Sequence, residues 1–161
     1  TIELKTGVYR LIKELLKKNV KQFIVTSSSK KQVDLLVKYL FSDFNPFDFI
    51  ITSDDVKFQK PNPEPYLKAI QLSGIQIKNS IAFEDSNSGI KSSLAANLPT
   101  IYVPSNLPTV IDSDIKLDCA LDSLGDYQKI ANVIKGPKLN KKYVDYSYLN
   151  NYLRLIFHAK N

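Results

Sequence analysis

The chain has 161 residues, of which 43% are hydrophobic and 24% are charged, as is ordinary for one soluble globular domain. No apolar run approaches the roughly 20 residues that a transmembrane helix needs, and the first ten residues have no signal-peptide pattern. We therefore expect a cytoplasmic protein with no membrane partner. The single cysteine, Cys119, and the single histidine, His158, exclude an internal disulfide, a His/Cys zinc cluster and a Cys–His catalytic pair.

The net charge is +6, from 22 Lys and Arg against 16 Asp and Glu. A basic protein can bind nucleic acid, and such binding would be salt-sensitive. The lysines are scattered, however, and never form a run of five or six, and the tyrosines near the C-terminus are more often packing residues. We expect no nucleic-acid partner.

Segments with helical periodicity alternate with short, β-branched apolar runs along the chain. In chain order the predicted elements are a helix at 8–19, a strand at 22–27, a helix at 29–41, a strand at 47–55, a helix at about 63–73, a strand at 80–85, a helix at 88–97 and strands at 100–104 and 117–124. Asn19, Gly74 and Asn97 suit the left-handed conformation that ends a helix, and Ser29 suits an N-cap. We predict that the last strand lies at the edge of the sheet.

This alternation, with connections too long for hairpins, predicts parallel strands joined by right-handed crossovers. The fold class is therefore α/β, with a doubly wound, mostly parallel sheet. In such a sheet the ligand site lies beyond the carboxyl ends of the strands. The residues expected there are 26–29, 52–55, 84–88 and 104–106.

The strand and helix pattern weakens after about Tyr127. A basic loop is predicted at 135–146, followed by a terminal helix at 146–157 with one apolar face. That face consists of Tyr148, Leu149, Tyr152, Leu153 and Ile156. We therefore divide the chain into a core at 1–126 and, at 127–161, a basic loop plus a terminal helix packed on that core.

Two adjacent acids, Glu84 and Asp85, follow an apolar strand and precede small polar residues, Gly89 and a helix. Neighbouring carboxylates repel each other, and Mg²⁺ offsets this because it takes one or two carboxylates together with waters and phosphate oxygens. Side chains alternate in direction along a strand, so one acid can bind the ion while the other holds its waters. The alternative is that Asp85 only caps the following helix.

Lys60 precedes a proline-rich turn that fixes its position at the start of a helix. A fixed ammonium near a metal site suits a phosphoryl group. Thr26 or Ser27, at the end of the first strand, could hydrogen-bond a phosphoryl oxygen, as could the backbone amides that enter the next helix. The alternatives are an exposed loop lysine and an ordinary helix cap.

The segments "TSSS", "DDVKFQKPNPEPY" and "IAFEDSNSGIKSSLAA", in this order, resemble the second, third and fourth motifs of haloacid-dehalogenase-type phosphohydrolases. The nearest subgroup is that of the β-phosphoglucomutase-like and CbbY-like sugar-phosphate enzymes. The resemblance covers about residues 1–126 and implies the C-terminal part of a Rossmann-like core. The lysine and Glu–Asp motifs are specific, whereas the hydroxyl motif alone is weak.

The resemblance also implies a role for each motif residue. Ser27 is the phosphate-binding hydroxyl, with Thr26 as the alternative one residue away and Ser28 beside them. Lys60 steadies the nucleophile and the transferring phosphoryl group. Asp85 is the Mg²⁺ ligand, and Glu84 assists it through water.

The reaction of this family begins with an aspartate nucleophile in an Asp-x-Asp motif, which forms an aspartyl-phosphate. The candidates here are the segments 53–55 and 112–114. The first belongs to the motif that leads to Lys60, and the second lies in a polar loop that no apolar strand precedes. We therefore expect an upstream segment of the same protein to supply the nucleophile strand and a helical cap. That strand would lie between those at 22–27 and 80–85, which are then not expected to pair with each other.

The predicted function is a Mg²⁺-dependent phosphohydrolase that acts on a small sugar phosphate through an aspartyl-phosphate. Two alternatives stay open. One is a phosphomutase of the same family, and the other is a non-catalytic remnant of the fold that only binds.

Overall fold

The structure, a computed structural model, describes residues 2–105 and 109–158. The helices are α1 (Val8–Lys17), α2 (Lys30–Leu40), α3 (Glu64–Ser73), α4 (Asn87–Ala95) and α5 (Tyr146–His158). The strands are β1 (Phe23–Val25), β2 (Phe49–Ile51), β3 (Ala82–Glu84), β4 (Thr100–Tyr102), β5 (Cys119–Leu121) and β6 (Val133–Lys135). Helices and strands alternate from α1 to β4, as the α/β prediction requires. Asn106, one of the predicted strand-end residues, lies outside the described residues.

The strands form two groups. β1 and β2 pair in parallel, and β3, β4, β5 and β6 form a four-stranded sheet in that order. The β3–β4 and β4–β5 pairs are parallel and the β5–β6 pair is antiparallel, which confirms a mostly parallel arrangement. Within the described residues β1 and β3 do not pair with each other, as predicted for two strands that flank the position of a third.

The prediction that the strand at 117–124 lies at the sheet edge is wrong, because β6 covers it. β6 falls within the segment after Tyr127, where no strand was predicted. It has three residues, too few to establish an alternating pattern, and Ile134 at its centre is 65% exposed. Backbone pairing with β5, interrupted by an irregularity at Ala120 and Leu121, defines it instead.

The main core lies between the four-stranded sheet, α1 and α5. Its buried members are Leu11, Leu15, Ile101, Val103, Cys119, Leu121, Leu124, Val144, Tyr148, Leu149 and Tyr152. The Tyr152 hydroxyl donates to the Thr100 carbonyl at 3.1 Å, so α5 packs directly on the sheet.

The division of the chain at residue 126 stays a prediction. None of the helices in the described part of the chain combines the length and apolar character needed to cross a bilayer.

Three helix ends follow the sequence prediction. Asn19, Gly74 and Asn97 have φ values of 55°, 66° and 60°, in the left-handed region that these residue types tolerate best. Each residue turns the chain out of its helix toward the following strand. Ser29 is the N-cap residue of α2, and its backbone N–H donates to the Gln32 side chain at 3.1 Å.

Candidate active site

The hydroxyl residues at the end of β1 lie where the chain leaves the sheet for α2. The Thr26 N–H donates to the Ile51 carbonyl at 2.9 Å, which extends the β1–β2 pairing by one residue. The Thr26 hydroxyl accepts from the Ser28 N–H at 3.1 Å, and Ser27 and Ser28 are exposed. The three residues predicted to bind phosphate therefore form a turn that solvent can reach.

Lys60 lies beside this turn and links β1 to β3. Its Nζ donates to the Val25 carbonyl at 2.9 Å and to Glu84 Oε1 at 2.5 Å. Its side chain is only 10% exposed, so it is not the loop lysine of the alternative interpretation. One ammonium thus bridges the carboxyl ends of β1 and β3, which do not pair with each other in the part of the chain that the structure describes.

Glu84 ends β3 with its carboxylate enclosed, since the side chain is 6% exposed. Its Oε1 accepts hydrogen bonds from Lys60 and from the Tyr66 hydroxyl. Its Oε2 lies so near the first turn of α4 that a Cβ at Gly89 would come within 1.8 Å of it. The glycine therefore lets the positive end of the α4 dipole approach this carboxylate.

Asp85 points to a different environment, as the alternation along a strand predicts. Its side chain is 46% exposed, and Oδ2 pairs with Lys5 Nζ at 3.0 Å. The N-cap of α4 is Ser86, whose hydroxyl accepts from the Gly89 N–H at 3.1 Å. The interpretation of Asp85 as a simple helix cap is therefore wrong.

Tyr66 and Lys5 contact the two acids, and sequence reasoning missed both. Burial is the main cause that raises the pKa of the Tyr66 hydroxyl well above its usual range, and the Glu84 charge raises it further. The hydroxyl therefore keeps its proton and donates. Its partner lies 18 residues away along the chain, and no local pattern indicates such a contact.

The segment 112–114 lies in the connection between β4 and β5. Asp112 and Asp114 pair with Lys91 of α4 at 2.8 and 3.3 Å, and Asp112 also accepts from the Asn87 side chain at 2.7 Å. No strand directly precedes this segment in the described residues, as the sequence predicted.

Glu84 and Asp85 match the one or two carboxylates that Mg²⁺ takes from a protein. No cluster of three or more His, Cys, Asp or Glu side chains suited to a metal ion occurs among residues 2–105 and 109–158. A hexacoordinate ion would therefore need further oxygen ligands, which waters, phosphate oxygens or other protein groups supply in such sites.

The family model for haloacid dehalogenase-like hydrolases matches residues 1–103 of this chain. The chain belongs to this family. The match contains the β1 turn, Lys60 and the Glu84–Asp85 pair, the same segments that carry the sequence resemblance.

Relatives place the chain near the CbbY-like subgroup, as predicted. It is 35% identical over 101 residues to protein CbbY of Rhodobacter capsulatus, covering 62% of this chain and 44% of that protein. It is 31% identical over 130 residues to pyrophosphatase PpaX of Bacillus mycoides, covering 80% of this chain and 60% of that protein. The crystal structure of CbbY from Rhodobacter sphaeroides in complex with phosphate matches with a TM-score of 0.70 and 27% identity, over 74% of this chain and 54% of that chain. The chain thus spans about half the length of these relatives.

Proposed function

We propose that this chain is the C-terminal part of a Mg²⁺-dependent phosphohydrolase that acts on a small sugar phosphate. The observation that carries the proposal is the position of Lys60, whose buried ammonium joins the carboxyl ends of β1 and β3. Among the described residues β1 pairs with β2 and β3 pairs with β4, and β1 and β3 do not pair with each other. A fixed cation at this point is suited to a phosphoryl group that gains negative charge during transfer.

The hydroxyl residues at the end of β1 and Lys60 are the groups proposed to bind the phosphate. The Ser27 hydroxyl, with Thr26 and Ser28 beside it, binds phosphoryl oxygens at the amino-terminal end of α2, where backbone N–H groups favour anions. Lys60 is prevented from swinging away by its two acceptors and neutralises charge on the transferring group. These groups orient and bind the phosphate.

Asp85, with Glu84 beside it, would hold the Mg²⁺ ion. When bound, the ion supplies charge neutralisation and orientation of the phosphate oxygens. Asp85 is the more accessible acid, and its present partner is Lys5. Lys5 would have to release Asp85 before the carboxylate binds the cation directly.

An upstream segment of the same protein would supply the aspartate nucleophile and a helical cap. The described residues contain no Asp-x-Asp segment at a strand end, and the chain covers only about half of its relatives. The aspartate would attack phosphorus to form an aspartyl-phosphate, which water then hydrolyses. Intact-mass spectrometry of the natural gene product tests this point, and we expect a mass well above 18.2 kDa.

A sugar phosphate is the proposed substrate class because of the relatives. One solved CbbY structure holds phosphate, and a mutant of the same protein was solved with xylulose-(1,5)bisphosphate. A β-phosphoglucomutase-like activity is the second candidate, supported by a putative β-phosphoglucomutase from Thermotoga maritima with a TM-score of 0.59 and 25% identity. Product analysis separates the two, since a hydrolase releases inorganic phosphate and a mutase yields an isomeric sugar phosphate.

The deciding experiment measures phosphate release by the full-length gene product from a panel of sugar phosphates and p-nitrophenyl phosphate, with and without Mg²⁺. We expect Mg²⁺-dependent release that falls by at least about 100-fold in Asp85→Asn, while circular dichroism shows an intact fold. Asp114→Asn is the matched control, because it makes the same change at an exposed loop position. Equal activity of the two variants would refute the metal role, and an inactive wild type that binds phosphate would favour the non-catalytic remnant.

A further inference from the structure

The hydroxyl of Tyr66 is buried against the candidate site, and no role has been assigned to it. α3 places the ring under the Glu84 carboxylate, where the hydroxyl donates to Oε1 and Lys60 Nζ lies 5.0 Å from the ring centroid. We propose that Tyr66 is a positioning residue that fixes the Glu84 carboxylate and thereby holds Lys60 at the end of β1. The consequence for catalysis rests on the proposed function.

The Glu84 carboxylate is oriented by contacts on both of its oxygens. The torsion that turns a glutamate carboxylate is soft, with a broad distribution, so one partner alone does not fix it. Here Oε1 receives two donors, Tyr66 from α3 and Lys60 from the preceding turn, and Oε2 is pressed against Gly89. Without the Tyr66 hydroxyl, Oε1 would keep only one of these two donors, the long and flexible side chain of Lys60.

The position of the Lys60 ammonium depends on Glu84. A lysine side chain has four rotatable bonds and loses much freedom when its ammonium is fixed. Its Nζ is held by two acceptors, Val25 O and Glu84 Oε1. If the Glu84 carboxylate turns, the Lys60 ammonium moves with it, because the attraction of the negative carboxylate exceeds that of a neutral carbonyl. The hydrogen bond from Nζ to the Val25 carbonyl then weakens. Tyr66 therefore acts on Lys60, and through it on the end of β1, by holding the Glu84 carboxylate.

Tyr66→Phe tests the proposal cleanly because the ring itself packs with Ala82, Ala96 and Leu98. Phenylalanine retains that packing and removes only the hydroxyl. Tyr152→Phe is the matched control: it removes another buried hydroxyl, which donates to Thr100 at the opposite end of β4 from the site.

The first readout is structural and independent of turnover. Crystal structures of the full-length wild type and Tyr66→Phe should differ at Lys60, whose Nζ leaves hydrogen-bond distance of the Val25 carbonyl in the variant. Tyr152→Phe should keep both Lys60 contacts. If Nζ stays on both acceptors in Tyr66→Phe, the positioning role is overturned.

The second readout is kinetic, with p-nitrophenyl phosphate and Mg²⁺. We expect Tyr66→Phe to lower kcat roughly tenfold with KM changed less than about threefold, and Tyr152→Phe to change neither. In a Lys60→Ala background Tyr66→Phe should cost less than about twofold, because the residue it acts through is gone. Equal losses in both backgrounds would overturn action through Lys60. If the wild type shows no hydrolysis, the proposed function fails, and the crystal comparison still decides the role of Tyr66.

Discussion

β4 and β5 differ from β1 in burial, although all three are short apolar strands. All residues of β4 and β5 are buried, and Ile101 at the centre of β4 is 0% exposed. The three residues of β1, Phe23, Ile24 and Val25, are only partly buried. Among the described residues β4 has a strand on each side, whereas β1 pairs only with β2. Strand neighbours are not the whole cause, because Ile51 of β2 is 2% exposed with β1 as its partner. An apolar run therefore predicts a strand, while everything that packs on it decides how deeply it is buried.

The largest effect on stability is expected from truncating an isoleucine in β4, and the same change in β1 provides the comparison. Ile101→Ala should lower the free energy of unfolding by about 2–5 kcal/mol, as for other fully buried positions, and Ile24→Ala by about half of that or less. Urea denaturation of the purified variants measures both. Equal losses of unfolding free energy in the two variants would contradict the difference in burial between β4 and β1. The proposed upstream strand, if it lies beside β1, would bury more of Ile24 and bring its loss closer to that of Ile101.

Gly89→Ala, in the first turn of α4 beside Glu84, should have the next largest effect. The new Cβ would meet Glu84 Oε2, and we expect a cost of about 1–3 kcal/mol together with reduced phosphate release. Gly74→Ala is the control, because no described residue lies within 4 Å of the added Cβ and the φ of +66° opposes the change. That variant should cost about 1 kcal/mol and retain activity. A Gly89→Ala variant with normal stability and turnover would contradict the enclosure of Glu84.

A smaller effect is expected from Asp145→Ala, just before the helix that covers the large sheet. Burial alone would raise the pKa of Asp145, but hydrogen bonds from Lys141 and the Tyr148 N–H lower it. A depressed pKa means that the carboxylate stabilises the fold above its unfolded pKa of about 3.9. This contribution disappears as the pH falls through the pKa of the folded protein.

Asp145→Ala should therefore cost about 1 kcal/mol at pH 7, as for a lost helix cap, and less at pH ~3. Thermal unfolding at a series of pH values provides the measurement. A cost that does not change with pH would mean that the charge of Asp145 is irrelevant to the stability of this region.

The smallest effect is expected for Leu35→Gln on α2, beside the two-stranded group. Leu35 is exposed, so the free energy of unfolding should change by less than about 0.5 kcal/mol. A loss above about 1 kcal/mol, measured by urea denaturation, would show that this face of α2 is covered in the protein tested.

Local signals predicted the helix ends and most strands correctly. Asn19, Gly74 and Asn97 mark turns by their own conformational preferences, which act without distant contacts. Burial on α2 was less predictable: helical spacing places Val33 and Leu36 on one apolar face, yet Val33 is buried and Leu36 is 38% exposed. The spacing defines a face, but the adjoining layer decides how much of it is covered.

The sequence alone predicted the alternating α/β order, the family resemblance, the position of Glu84 and Asp85 at a strand end and that of Lys60 before the turn into a helix, because these depend on local patterns and short motifs. Only the tertiary structure decided that Lys60 joins Val25 to Glu84 and that Tyr66 donates to the same carboxylate, across 35, 24 and 18 residues of chain. It also decided that β6 covers β5. Such contacts form only when crossovers bring distant segments together, and their partners are selected by space and charge rather than by neighbours in sequence.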